Sequence, residues 1–356
     1  MDIKILYIWL SKISGIGPVL ASKLIEFFKR IDFVYEANYA DLIKVEGIGP
    51  KLAKTIVESK DLQKCNDIYY MCKQNGIQII TKECGNYPKQ LNNFKNAPIV
   101  LYVRGNLKDF DNAVCIVGSR RCTEYGKNIT VELSKALSFE NIPIISGMAK
   151  GIDGYSHTVS LHNNNYTIAV LGTGVDICYP REHLTLMNEI IKNGVVISQF
   201  EPGTSNIKSN FIKRNELMAM LSNKIVVVEA TKDSGSLYTA YYGIKYGKEV
   251  YSVPGNINSK SSEGTNTLIN EGVKPYLSIN TVIKEKNSEY KNEIDSEKVI
   301  SPSEREVLNV ITKNGVAIDK IKMMLSLKDY NLEEVLLDME VKGQIKQVGG
   351  LFIAVH

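Results

Sequence analysis

The chain has 356 residues, with 43 Lys and Arg against 39 Asp and Glu, a formal net charge of +4 and a hydrophobic fraction of 44%. This composition excludes a disordered or fibrous chain, and the length predicts two or three domains with at least one sizeable core. No apolar run approaches the ~18 residues a membrane span needs. The apolar stretch 5–10 is too short for a secretion signal and is soon followed by Lys12, so a cytoplasmic location is expected.

In chain order, residues 1–75 predict short helices, with Ile5, Leu6, Trp9, Leu10 and then Leu20, Leu24, Ile25, Phe28 at helical spacing. Within them the unit apolar-x-Gly-Ile-Gly-Pro occurs twice, at Ile13–Pro18 and Val45–Pro50, each ahead of a helical run. Such glycines permit a tight turn and leave N–H groups open at a helix start, which attracts phosphate. The unit resembles the helix-hairpin-helix motif; two ordinary helix connections explain it equally well. Residues 76–110 read as an extended connection to the core, β-rich at 76–80 and 99–103. From residue 111 to 283 the pattern alternates. Strands are expected at 113–117, 142–145, 167–171, 195–198, 225–228 and 249–253, with helices between them, such as 125–138, 183–192 and 237–246. The predicted fold class is α/β: a Rossmann-like, mostly parallel sheet covered on both faces. Residues 284–300 are polar and charged and read as a linker. Residues 301–356 predict a small helical domain ending in a hairpin, with Gly349-Gly350 at its turn.

Charge is uneven: net +5 over 1–110, +1 over 111–283 and −2 over 284–356. A polyanion would therefore be met by the first segment or by local clusters. The six cysteines form no C-x-x-C pair and the four histidines complete no zinc pattern, so no metal, cofactor or disulfide is expected.

Three consecutive predicted strand ends carry glycine: Gly118-Ser119-Arg120-Arg121, then Ser146-Gly147 leading to Lys150-Gly151, then Gly172-Thr173-Gly174. In a parallel sheet these ends share one edge, where ligands bind. Small residues let a ligand approach the backbone, exposed amides form an anion nest, and Arg120, Arg121 and Lys150 add charge to it. A dinucleotide G-x-G-x-x-G and a P-loop are both absent. A fourth cluster comprises Lys213-Arg214-Asn215 and the helix start Ser234–Ala240, where Ser234 or Ser236 is placed to cap the helix.

Taken together, the runs IVGSRRCTEYG, IISGMAKGIDGYSH, TIAVLGTGVDICYPREH, FIKRN, VVVEATKDSGSLYTA and VPGNINSKSSEGTNTLINEGV closely resemble the DprA/Smf (DNA-processing protein A) family. They span residues 113–273. The resemblance implies a Rossmann-like domain that binds single-stranded DNA, a C-terminal winged-helix-like domain, and a homodimer. It implies a mediator that protects incoming DNA and loads a RecA-type recombinase in natural transformation, not a catalyst. Carried over, the DNA-contacting positions are Ser119, Arg120 and Lys150, with Thr173, Gly174, Arg214, Asn215, Ser236 and Thr239 lining the same pocket by analogy. Ile212, Glu216 and Tyr238 depart from the family pattern, and Glu216 removes a positive charge.

Phosphate binding at the nest of Gly118–Arg120 and 149–151 gives sequence-independent affinity. Tyr125 and Phe211 are candidate stacking partners. The rival reading is a nucleotide-binding or nucleotide-hydrolysing enzyme of a related Rossmann-like family, using Asp153, Asp176, Glu201 or Glu229. None is paired for acid–base work, Asp153 is expected to cap the helix after Gly151, and His157 and His162 are read as structural. The acidic tail reads as a docking or regulatory module.

Overall fold

The computed structural model describes residues 2–283, 301–311, 315–325 and 331–355; the expected linker at 284–300 lies outside them. Six helices open the chain: α1 (Ile3–Lys12), α2 (Pro18–Phe28), α3 (Ile31–Glu36), α4 (Tyr39–Leu42), α5 (Pro50–Glu58) and α6 (Gln63–Gln74). Pro18 and Pro50 occupy the first helical positions of α2 and α5, behind N-caps Gly17 and Gly49, where a missing N–H costs nothing. The two hairpins face each other reciprocally: Leu52 covers Gly15, and Leu20 covers Gly47. All six residues Ile5 to Leu10 of α1 are buried, not one stripe. The reason is that α1 is the central helix of this unit and also lies against the sheet, so no face meets water. Trp9 donates its indole N–H to the Ser59 carbonyl at 2.8 Å and meets Tyr35 edge-on at 5.1 Å.

The segment expected as a connection supplies two strands, β1 (Gln78–Thr81) and β2 (Val100–Gly105). They pair antiparallel with each other, and β2 pairs antiparallel with β6, so the segment is the edge of the main sheet. The alternating region follows as β3 (Val114–Val117), α7 (Glu124–Phe139), β4 (Ile144–Ser146), α8 (Ile152–His162), β5 (Thr167–Val170), α9 (Leu184–Asn193) and β6 (Val195–Ser198). It continues as α10 (Lys208–Leu221), β7 (Lys224–Val227), α11 (Ser236–Lys245), β8 (Glu249–Ser252), α12 (Glu263–Asn270), β9 (Lys274–Pro275) and α13 (Ile279–Val282). The nine strands run in the order β1-β2-β6-β5-β4-β3-β7-β8-β9, and every neighbouring pair from β6 to β9 is parallel. Strands β3, β5 and β6 are buried along their whole length, as a sheet covered on both faces requires. Each buried Val or Ile there stabilises the fold by about 1.5–3 kcal/mol. Strand β3 has β4 on one side and β7 on the other, which makes its C-terminal end the switch point of the sheet.

The last module runs α14 (Pro302–Val310), β10 (Val316–Ala317), α15 (Ile318–Met324), α16 (Leu332–Val341), β11 (Ile345–Val348) and β12 (Leu351–Ala354), a winged-helix-like order. Ser301 and Glu304 close a capping box on α14, ahead of Pro302. The module has its own core around Val307, Ile321, Leu336, Met339 and Phe352. It rests on α8 through a small apolar contact of Val341 and Leu337 with Tyr155 and Val159. Among the described residues no helix is long and apolar enough to cross a membrane.

Candidate nucleic-acid interface

The loops after β3 and β4 meet at the switch point. Gly151 has φ +71 and ψ −127, a conformation essentially closed to residues with a side chain. A methyl group there would lie 2.3 Å from the Ser119 carbonyl oxygen and 2.8 Å from that of Arg120. The Ile152 amide donates to the Ser119 carbonyl at 3.3 Å and so ties the two loops together. Ser119 Oγ accepts the Arg121 amide at 3.1 Å. The amides of Ser119, Arg120, Lys150 and Gly151 have no intramolecular acceptor among the described residues, whereas Ala149 and Ile152 do. Gly118, Ser119, Lys150 and Gly151 are half-buried; Arg120 and Arg121 are exposed and carry no ion pair among the described residues.

Beneath these loops lies a buried ion pair. Asp153 does not cap α8 as expected; Gly151 is the N-cap, and Asp153 Oδ2 accepts the Gly147 and Ala149 amides at 3.2 and 3.3 Å. Arg214 Nη1 stands 3.7 Å from the same oxygen. Burial pushes the Asp153 carboxyl above the ordinary carboxylate value, against the pull of Arg214. Burial also lowers Arg214, but a guanidinium starts so high that it stays charged. Gly147 makes the arrangement possible: a methyl group there would sit 1.1 Å from Arg214 Nη1. One turn earlier, Phe211 lies on Gly172. Helix α10 therefore covers the ends of β4 and β5 with its own side chains, and the glycines expected to admit a ligand there admit Arg214 and Phe211 instead.

Five of the twelve residues expected at the interface lie beneath its surface instead. Arg214 is only 5% exposed, and Thr173, Gly174, Asn215 and Thr239 are also buried. Thr173 donates to the Ile177 carbonyl at 2.9 Å, the Gly174 amide donates to Thr204 at 2.9 Å, and Asn215 donates to the Gly235 carbonyl at 2.9 Å. These residues form the underside of the rim, not its surface. Ser236 is half-exposed as the first residue of α11 and shares a hydrogen bond with Ser234 at 2.8 Å; neither caps the helix, whose N-cap is Gly235. Glu216 accepts from Asn96 at 2.8 Å and from Tyr246, so it is held in an internal network.

Each carboxylate named for the rival chemistry has a structural task. Asp176 accepts the Gly203 amide at 2.9 Å, and Glu201 pairs with Lys12. Glu229, at the end of β7, accepts the Thr123 amide at 2.8 Å and the Thr123 hydroxyl, while Thr123 caps α7. Its carboxylate thus fills the helix N-terminus at the switch point, where a Rossmann-type nucleotide places its phosphate. Sequence reasoning missed this role, because the contact spans 106 residues. His157 is fully buried beside Thr167 at 2.7 Å, and burial, with the charges of His183 and Arg214, pushes it down to about 3. His162 instead reaches Asp338 of the last module.

Of the aromatic candidates, Tyr125 keeps an exposed ring while its hydroxyl donates to the Pro254 carbonyl at 2.9 Å; Phe211 is half-buried between Gly172 and Tyr179. Lys150 is not free: Nζ lies 2.6 Å from Glu182 and 3.3 Å from Glu333, and these carboxylates raise it above its ordinary value.

Comparison with known proteins agrees with this architecture. Residues 78–287 match the family model of DNA recombination-mediator protein A, and residues 9–59 that of a SAM-like helix-hairpin-helix tandem. Protein Smf of Synechocystis sp. is 32% identical over 385 residues, covering 96% of this chain and 97% of that protein. DNA processing protein DprA of Streptococcus pneumoniae is 37% identical over 200 residues, 56% of this chain and 71% of its own. The solved structure of DprA from S. pneumoniae superposes with a TM-score of 0.70 at 30% identity, over 81% of this chain and 99% of that one. A solved structure of DNA processing protein A from Helicobacter pylori, concerned with its single-stranded DNA binding mode, has a TM-score of 0.53 at 32% identity, over 58% of this chain and 94% of that one. A sheet of this order, a tandem hairpin unit before it, a winged-helix-like module after it, and relatives matched along nearly their whole length place the chain in the DprA/Smf family of DNA recombination-mediator proteins.

Proposed function

We propose that this protein binds single-stranded DNA along the C-terminal edge of its parallel sheet and acts as a recombination mediator. The observation that carries the reading is the junction of the two loops after β3 and β4. Among the described residues Arg120 and Arg121 have no ion-pair partner there and stand beside open backbone amides, over a buried ion pair beneath the loops. Arginine forks and amides suit phosphate oxygens and read no base, so the affinity is independent of sequence. The exposed ring of Tyr125, in the first turn of α7, offers a stacking surface. The contact set is Gly118, Ser119, Arg120, Arg121, Lys150 and Gly151, with Ser236 at the flank and Thr173, Gly174, Arg214, Asn215 and Thr239 supporting it from below. The Helicobacter relative's single-strand binding supports the choice of ligand. By kinship with the family, the bound strand is protected and passed to a RecA-type recombinase by a homodimer in the cytoplasm, as natural transformation requires.

The test is oligonucleotide affinity as a function of salt, for wild type and for Arg120→Ala with Lys150→Ala. Losing two phosphate contacts on a single strand lowers the slope of log K against log salt by about 1.4. Absence of binding by the wild type at low salt overturns the reading, as does a folded double variant with an unchanged slope.

A further inference from the structure

In the C-terminal module, α16 is the third helix and leads into the β11–β12 hairpin, the place of the groove-reading helix in helix-turn-helix architectures. Its sequence, LEEVLLDMEV, carries Glu333, Glu334, Asp338 and Glu340 and no basic residue. A polyanion is a poor partner for that helix. All four carboxylates instead reach the α/β domain, although within the module Glu333 also pairs with Lys322 at 3.3 Å and Asp338 with Lys342 at 2.7 Å. Glu333 pairs with Lys150 at 3.3 Å. Glu334 accepts the Leu186 amide at 3.0 Å. Asp338 pairs with His162. Glu340 accepts the Tyr155 hydroxyl at 2.7 Å and lies 3.0 Å from Lys127, with both charged side chains buried. Just before the helix, Asn331 donates to the carbonyl of Glu182, the residue that supplies Lys150 with its second carboxylate.

We propose that α16 is an intramolecular competitor of the DNA strand: docked on α8, it engages Lys150 through Glu333, and it must withdraw before the rim takes up a polynucleotide in full. The inference rests on the single-strand reading above and adds a regulation of that same site. The contact is built to be reversible. Its apolar part is small, Val341 and Leu337 against Tyr155 and Val159 with Cys122 and Val131 at the margin, and much of the remainder is electrostatic. The Lys150, Glu182 and Glu333 side chains are all more than one-third exposed, so their attraction is screened by solvent and salt. Phosphate and carboxylate compete for one ammonium group, and the competition is reciprocal: docking weakens the strand, and the strand weakens docking by the same factor. A docked majority state lowers apparent strand affinity by the fraction left undocked.

The experiment uses the full chain and a fluorescein-labelled oligodeoxythymidine at low salt, with wild type, Glu333→Gln and Glu340→Gln. Glu333→Gln removes one exposed carboxylate without touching a core, and it is expected to bind roughly two- to fivefold tighter, the factor that one such pair is worth. Glu340→Gln removes the buried anchor and is expected to bind tighter still. In parallel, a zero-length carbodiimide reaction is expected to link Lys150 to Glu333 in the free protein, with a yield that falls as oligonucleotide is added. If wild type binds the oligonucleotide, Glu333→Gln binds no tighter and cross-linking ignores the oligonucleotide, the competitor role is overturned while the single-strand reading stands. If neither wild type nor the variants bind, the single-strand reading itself falls.

Discussion

Gly151→Ala tests how the interface is assembled. At φ +71 and ψ −127, alanine is strained by about 1–3 kcal/mol. Its methyl group would lie 2.3 Å from the Ser119 oxygen and 2.8 Å from the Arg120 oxygen. Both are backbone atoms, so no side-chain rotation relieves the contact, and the two loops must part. Parting breaks the 3.3 Å bond from the Ile152 amide to Ser119, which is worth a further ~1 kcal/mol. A total near 2–4 kcal/mol lowers the melting temperature of a domain this size by roughly 4–15 °C. Gly235→Ala is the control: φ is −61 and no atom lies within 4 Å of the added methyl, so that variant should be neutral or stabilised by about 0.4–1 kcal/mol. Scanning calorimetry reads the stability and fluorescence anisotropy reads oligonucleotide binding, which should weaken as Lys150 is carried away from Arg120. A Gly151→Ala protein that melts with wild type and binds equally well would show that the two loops are independent and that the junction does not form the site.

Two further expectations concern what lies below the rim. Arg214→Met leaves the Asp153 carboxylate buried without its cation and should cost about 3–5 kcal/mol, whereas adding Asp153→Asn should recover most of it, because the replaced pair no longer buries a lone charge. Urea midpoints of the two variants that coincide would refute the pairing. His157 sits near 3 in the folded chain against an ordinary 6.5, so below 6.5 the unfolded chain takes up a proton that the folded one refuses. Stability should therefore fall by about 1.4 kcal/mol for each pH unit from 6.5 toward 3, through this residue alone. His157→Gln should remove that contribution from a series of denaturant midpoints against pH, and an unchanged slope would place the titration elsewhere.

Much of this molecule was written locally. Gly-Ile-Gly-Pro marks the start of α2 and α5, the apolar runs mark the six central strands, and Gly349-Gly350 marks the turn between β11 and β12, because each depends on neighbours in the chain. The basic loop of Gly118 to Arg121 and its meeting with Lys150-Gly151 were legible for the same reason: parallel strands must end on one edge. What the chain pattern left open is which distant group each residue meets. Residues 78–81 and 100–105 are extended, near the β-rich stretches the sequence marks, and only pairing with β6 makes them part of the main sheet. Arg214 is an ordinary helical arginine until α10 crosses the strand ends and Gly147 makes room for its guanidinium. Glu229 becomes the cap of α7 from 106 residues away, and Glu333 reaches Lys150 across 183. Periodicity and turn chemistry act over a few residues; the choice of partner for a charge is settled by topology, and that choice separates the exposed arginines of the rim from the buried one beneath it.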